Sequence, residues 1–134
     1  MVPPCVVAAL ARDRSAYFDE FTQNFFSAGG VLQVTAAQRE EAVALCNQSA
    51  QHAALACMDS FGTTDFREDL KSVTVPTLVI HGAADAIVPF EGSGQRTHRA
   101  VRHSQLVTVD GAPHGMNVSH AQAFNDALLS FLRT

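Results

Sequence analysis

Thr77-Leu78-Val79-Ile80-His81-Gly82-Ala83-Ala84-Asp85-Ala86-Ile87-Val88-Pro89 is the stretch from which the fold can be read. Leu78, Val79 and Ile80 form a short unbroken apolar run, the pattern of a strand covered on both faces. His81-Gly82-Ala83-Ala84 interrupts it. Asp85 follows at the carboxyl end of the strand, where open α/β sheets place functional groups. Pro89, with its fixed φ and missing N–H, suits the first turn of a helix. Alone, Asp85 reads as a turn or capping aspartate, the usual work of an aspartate in a loop.

Toward the C-terminus, a helical pattern runs from Pro89 to about Val101, and Leu106-Val107-Thr108-Val109 reads as a second strand. Strand–helix–strand over 77–109 implies parallel strands joined by a right-handed crossover. Gly111-Ala112-Pro113-His114-Gly115 is a loop. Ser119-His120-Ala121-Gln122 has the capping-box pattern, which predicts a helix carrying Phe124, Leu128, Phe131 and Leu132 on one face. Two parallel strands do not make a stable sheet, because parallel strands need neighbours on both edges and helices on both faces. The 134 residues therefore read as the end of a larger α/β domain, preceded by a helical segment.

Toward the N-terminus the pattern is all-helical. A helix is expected from about 5 to 27, with Phe18, Phe21 and Phe25 as one stripe, ending at Gly29-Gly30. Val31-Leu32-Gln33-Val34 is an ambiguous strand candidate. Thr35-Ala36-Ala37-Gln38 is a capping box that starts a helix at Ala36, with Val43 and Cys46 on one face. An Ala-rich helix is expected from His52 to Ser60, and Asp65-Phe66-Arg67-Glu68 reads as a cap with one turn. Met1 to Leu10 resembles a weak signal peptide but has no basic n-region, so it reads as a helix start after Pro-Pro.

Composition narrows the function classes. The chain is 47% apolar and 16% charged with net charge −4, a globular balance with no basic patch for nucleic acid or an anionic membrane. No apolar run approaches the roughly 18 residues of a membrane span. Cys5, Cys46 and Cys57 are odd in number and widely spaced, which suggests neither a disulfide framework nor a zinc site; free thiols and a cytoplasmic location are expected. The six histidines form no metal signature: His114 and His120, six apart, match no standard ligand spacing.

His114 follows the second strand, 29 positions after Asp85. Asp and then His, each just beyond a strand, is the order of the last two members of a Ser-Asp-His triad on an α/β-hydrolase sheet. Thr64-Asp65-Phe66-Arg67-Glu68-Asp69-Leu70, Val75 to Gly82, Ile87-Val88-Pro89 and Gly111 to Gly115, in that order, resemble the cofactor-free haloperoxidase (non-haem chloroperoxidase) and aryl esterase branch of the α/β-hydrolases. The resemblance implies that residues 1–72 are a helical cap segment, with Asp13-Arg14 and Phe25-Phe26 among its matching features. Residues 73–134 would be the C-terminal β-α-β-α portion of the core. It also implies that Asp85 is the triad acid and His114 the triad base, with no metal or haem required. One departure is Ala83, where such proteins commonly carry a second Asp. Gly111 and Gly115 would leave backbone room around the base. Phe25, Phe26, Val88 and Met116 are expected to line an acyl pocket, the Phe pair reading equally as cap core.

No Gly-x-Ser-x-Gly occurs in the chain. Gly92-Ser93-Gly94 is too short and follows Asp85 in chain order, whereas the nucleophile should precede it. The expectation is thus a C-terminal part of a serine esterase or perhydrolase, arising by truncation, a displaced start or a split gene. The chain alone would be inactive, because the serine and the oxyanion donors are missing. The complete enzyme would act on a small ester or acyl substrate. A second reading is a non-catalytic interaction module whose bare strand edge before Leu78 is covered by a partner or by self-association. A third is an inactive truncated product that barely folds.

Overall fold

The computed structural model describes residues 4–133. Met1, Val2 and Pro3, expected to lead into the first helix, lie outside the described residues. The chain forms two compact units: one holds the residues up to Gln23 together with Thr35–Asp65, the other Asn24–Val34 with the chain from Phe66 onward.

The first unit is helical. It contains α1 (Pro4–Arg12), most of α2 (Arg14–Phe25), α3 (Ala36–Asn47) and α4 (Gln51–Thr63). The single helix expected over 5–27 is in fact two, broken at Asp13. The Asp13 carboxylate accepts the Ala16 N–H at 3.0 Å, so a good capping residue restarts the helix where an uncapped one would have continued. α1 packs against α4, and Leu10 on α1 is buried. α3 begins where the capping box places it: Thr35 Oγ1 accepts the Gln38 N–H at 3.2 Å and Gln38 Oε1 accepts the Thr35 N–H at 2.9 Å. Arg39 donates to the Asp19 carboxylate at 2.6 Å, Arg14 to the Ser49 carbonyl, and Gln51 to the Ala11 carbonyl at 2.7 Å. Cys46 and Cys57 are free thiols, and burial pushes the Cys46 thiol up from its ordinary value, which lowers its thiolate fraction.

The second unit opens with a hairpin. β1 (Ser27–Ala28) pairs antiparallel with β2 (Val31–Leu32), resolving the ambiguous strand candidate. The connecting Gly29 and Gly30 have φ of 57° and 80°, which the tight primed turn requires and only glycine adopts cheaply. After α5 (Arg67–Lys71), β3 (Thr77–Gly82) and β4 (Ser104–Val109) form a parallel pair in register from Thr77↔Ser104 to Gly82↔Val109. α6 (Gly94–Ala100) and α8 (Ala121–Leu132) pack on both strands, and α7 (Met116–Ser119) precedes α8. The arrangement is α/β. Leu78, Val79 and Ile80 are half-buried rather than covered on both faces, because the described sheet has two strands.

Three helix starts differ from their sequence pattern. The helix expected from Pro89 is a 3₁₀ turn (Phe90–Gly92), then a break at Ser93 (φ −138°, ψ −85°), then α6. Flanking glycines weaken the helix there. Ser119 caps nothing: its hydroxyl lies 2.9 Å from His120 Nδ1, and α8 starts without a side-chain cap. α5 likewise has no side-chain cap, its N-cap position being Phe66. Among the described residues no helix is long and apolar enough to cross a membrane.

Replacing Leu10 by Ala is expected to cost about 2–5 kcal/mol, the range for a buried leucine whose site cannot collapse. Urea unfolding followed by circular dichroism measures it.

Candidate active site

Two loops leave the carboxyl ends of β3 and β4 and are stitched together at once. The Ala83 N–H donates to the Val109 carbonyl at 2.9 Å and the Ala84 N–H to the Ala112 carbonyl at 3.0 Å. Gly82 permits this approach: a Cβ there would lie 2.3 Å from the Ala112 oxygen and 2.5 Å from the Pro113 oxygen. Ala112 and Pro113 are fully buried. The backbone on either side of Asp85 and His114 is thereby held in one place.

Asp85 sits at the centre, with its side chain 4% exposed. One oxygen, Oδ1, accepts the N–H groups of Ile87 at 2.9 Å and Val88 at 2.8 Å, an Asx-type turn. The other, Oδ2, lies 2.6 Å from His114 Nδ1. The turn-aspartate reading therefore describes one oxygen, and the histidine pairing the other. Since a carboxylate only accepts, Nδ1 carries the proton and the neutral ring keeps an unprotonated Nε2. The His114 side chain is 32% exposed, open enough to meet a reactant.

The end of α2 and the residue after it contact this loop. The Gly115 N–H donates to the Phe25 carbonyl at 2.9 Å. The Phe25 ring stands edge-on to His114, centroids 4.7 Å apart, and edge-on to Phe26 at 5.0 Å. Gly115 makes room for these rings, because a Cβ there would fall 2.3 Å from Phe26 Cδ1. Gly111, with φ of 68°, serves the turn before the histidine.

Asp85 and His114 open onto a cleft of about 470 Å³, which Val88 and Met116 also line. Phe25 and Phe26 are not among the cleft residues; Phe26 is buried, its ring next to Gly115. His81 and Gly94, to which the sequence assigned no role, line the cleft as well. The His81 side chain is 11% exposed, with Nε2 2.9 Å from the Val88 carbonyl and 3.5 Å from Asp85 Oδ2. Gly94 lies against its ring. The available signal was His81 itself, a polar residue ending an apolar strand four positions before Asp85. Among the described residues no group of three or more His, Cys, Asp or Glu side chains could hold a metal ion.

The family described as TAP-like protein matches residues 43–134. A Synechocystis protein named as a non-heme chloroperoxidase is 38% identical over 130 residues, covering 96% of this chain and 47% of that protein. Non-heme chloroperoxidase CPO-A1 of Kitasatospora aureofaciens is 32% identical over 123 residues, covering 90% of this chain and 45% of that protein. The crystal structure of a bromoperoxidase from Bacillus anthracis, 42% identical, superposes with a TM-score of 0.91 over 95% of this chain and 46% of that one. The chain spans about half the length of the curated relatives it matches.

Gly82→Ala is expected to destabilise the protein by about 1–3 kcal/mol or more, because the obstructing atoms are backbone and cannot swing away. Gly92→Ala, which meets nothing within 4 Å, should stay within about 0.5 kcal/mol. Urea midpoints of the two variants provide the comparison.

Proposed function

This chain belongs to the α/β-hydrolase family, and we propose that Asp85 and His114 are the acid and base of a Ser-Asp-His triad. The enzyme type is that of the non-haem haloperoxidases and esterases. The observation that carries the reading is the 2.6 Å bond from His114 Nδ1 to Asp85 Oδ2, with Oδ1 tied to two backbone amides. A carboxylate fixed in this way cannot swing away from the imidazole, and it determines which ring nitrogen is basic.

His114 Nε2 takes the proton of a serine hydroxyl as that oxygen attacks an ester carbonyl, then returns it to the departing alcohol. Asp85 stabilises the imidazolium formed between the two transfers. The resulting acyl-enzyme is released by water, giving the acid, or by hydrogen peroxide, giving a peracid that oxidises halide. Val88 and Met116 present apolar surface to a small acyl group. In this reading the serine and the oxyanion donors come from residues outside these 134, consistent with the absence of Gly-x-Ser-x-Gly. The free thiols Cys46 and Cys57 fit a reducing, cytoplasmic setting.

The 134-residue chain alone is expected to show no turnover of p-nitrophenyl acetate. Joined to the unmatched part of the Bacillus anthracis bromoperoxidase, it should hydrolyse that ester. In the joined protein, Asp85→Asn should lower kcat by about 10³–10⁴-fold and His114→Ala by at least as much. Full activity of the His114→Ala protein would refute the assignment.

The half-buried Leu78–Ile80 row favours a second reading, a non-catalytic module whose β3 edge pairs with another chain. Size-exclusion chromatography separates the two for self-pairing: a monomer at all concentrations argues against it.

A further inference from the structure

His81 lies beside the proposed acid–base pair and has no part in the proton transfers. Its Nε2 is 2.9 Å from the Val88 carbonyl, which can only accept, so Nε2 carries a proton and donates it there. Gly94 lies close to its Nδ1: a Cβ there would fall 2.7 Å from that nitrogen. Phe90 covers the ring at a centroid distance of 5.4 Å, tilted by 57°. With Nε2 donating to the Val88 carbonyl, the nitrogen of His81 nearest Asp85 is not a free base.

Val88 links the two sites. Its N–H holds Asp85 Oδ1 at 2.8 Å, and its carbonyl is held by His81. The residue that fixes the carboxylate is thus itself fixed at its other polar end. His81 Nε2 also stands 3.5 Å from Asp85 Oδ2, placing a second donor nitrogen near the oxygen that receives His114. The Ser93 hydroxyl, 3.5 Å from the same Val88 carbonyl and 2.8 Å from that of Pro89, is too distant to replace the imidazole.

We propose that His81 is a positioning residue. By clamping the Val88 carbonyl it holds the Asp85–Val88 turn, so that Oδ2 meets His114 at hydrogen-bond distance. The inference rests on the Asp85–His114 reading above. Gly94 is part of the device, since no side chain fits between α6 and the imidazole.

The test reads the His114 Nδ1–H directly, in the full chain and without any activity assay. A proton donated to a buried carboxylate gives a downfield proton resonance that exchanges slowly with water; His114→Gln assigns it by removing it. In His81→Phe the resonance should move upfield and exchange about tenfold faster, the order expected for loss of one hydrogen bond. His81→Gln, whose amide can reach the Val88 carbonyl, should restore it. Gly94→Ala, which displaces the ring and leaves the imidazole present, should reproduce the His81→Phe result. Amide protection across β3 and β4 reports folding in every variant. A folded His81→Phe protein with an unchanged resonance overturns the proposal, as does a His81→Gln protein that loses it equally. If His81→Phe does not fold, an unchanged resonance in Gly94→Ala decides against it. Absence of the resonance in the unsubstituted protein overturns the Asp85–His114 pairing itself, and the role of His81 with it.

Discussion

The close approach of two backbones at Gly82 is the constraint on which the site depends. Asp85 and His114 are 29 residues apart and sit on loops from different strands. They meet because the Ala112–Pro113 carbonyls occupy the space in which any other residue at 82 would carry a Cβ. The parallel register brings Gly82 opposite Val109, and the Ala83 and Ala84 amides then close the gap. A single missing methyl group thus converts a pair of strand ends into one rigid platform.

A carboxylate as buried as that of Asp85 is costly unless its oxygens are satisfied. Here two backbone N–H groups and one imidazole N–H do so, in bonds between 2.6 and 2.9 Å. Charge-assisted bonds of this kind are stronger than neutral ones and have defined directions. The same interactions that make the buried charge tolerable also determine the tautomer of His114. The burial of the charge and the orientation of the imidazole therefore share one set of contacts, extended through Val88 to His81.

The parallel sheet of the second unit has two strands among the described residues. β3 and β4 carry parallel-strand sequences, yet their apolar residues stay half-buried with two strands in the described sheet. The chain spans about half the length of its curated relatives, so the activity proposed for the whole protein rests on the geometry of Asp85 and His114. The first unit holds together by a different balance. Leu10 and Thr22 are its buried residues among those described, and side-chain bonds to backbone carbonyls from Arg14, Arg39 and Gln51 join its helices.

Local signals were legible wherever the physics is local. The Leu78–Ile80 run, the Thr35–Gln38 capping box and the order of Asp and His after successive strands all depend on residues a few positions apart, or on chain order alone. Asp13 broke a helix that periodicity continued, and Ser119 bonded its neighbouring histidine instead of capping α8, because each hydroxyl or carboxylate has several partners within reach. The sequence by itself determined the α/β class and which carboxylate and imidazole belong together. Only the tertiary structure decided that Asp85 divides its oxygens between a turn and an imidazole, that Phe25 packs edge-on to His114 and Phe26 lies beside Gly115 while Val88 and Met116 line the cleft, and that His81 bonds the Val88 carbonyl. Those outcomes depend on close approaches between loops distant in the chain, at Gly82, Gly94 and Gly115, and a glycine shows in sequence that space is needed without showing what fills it.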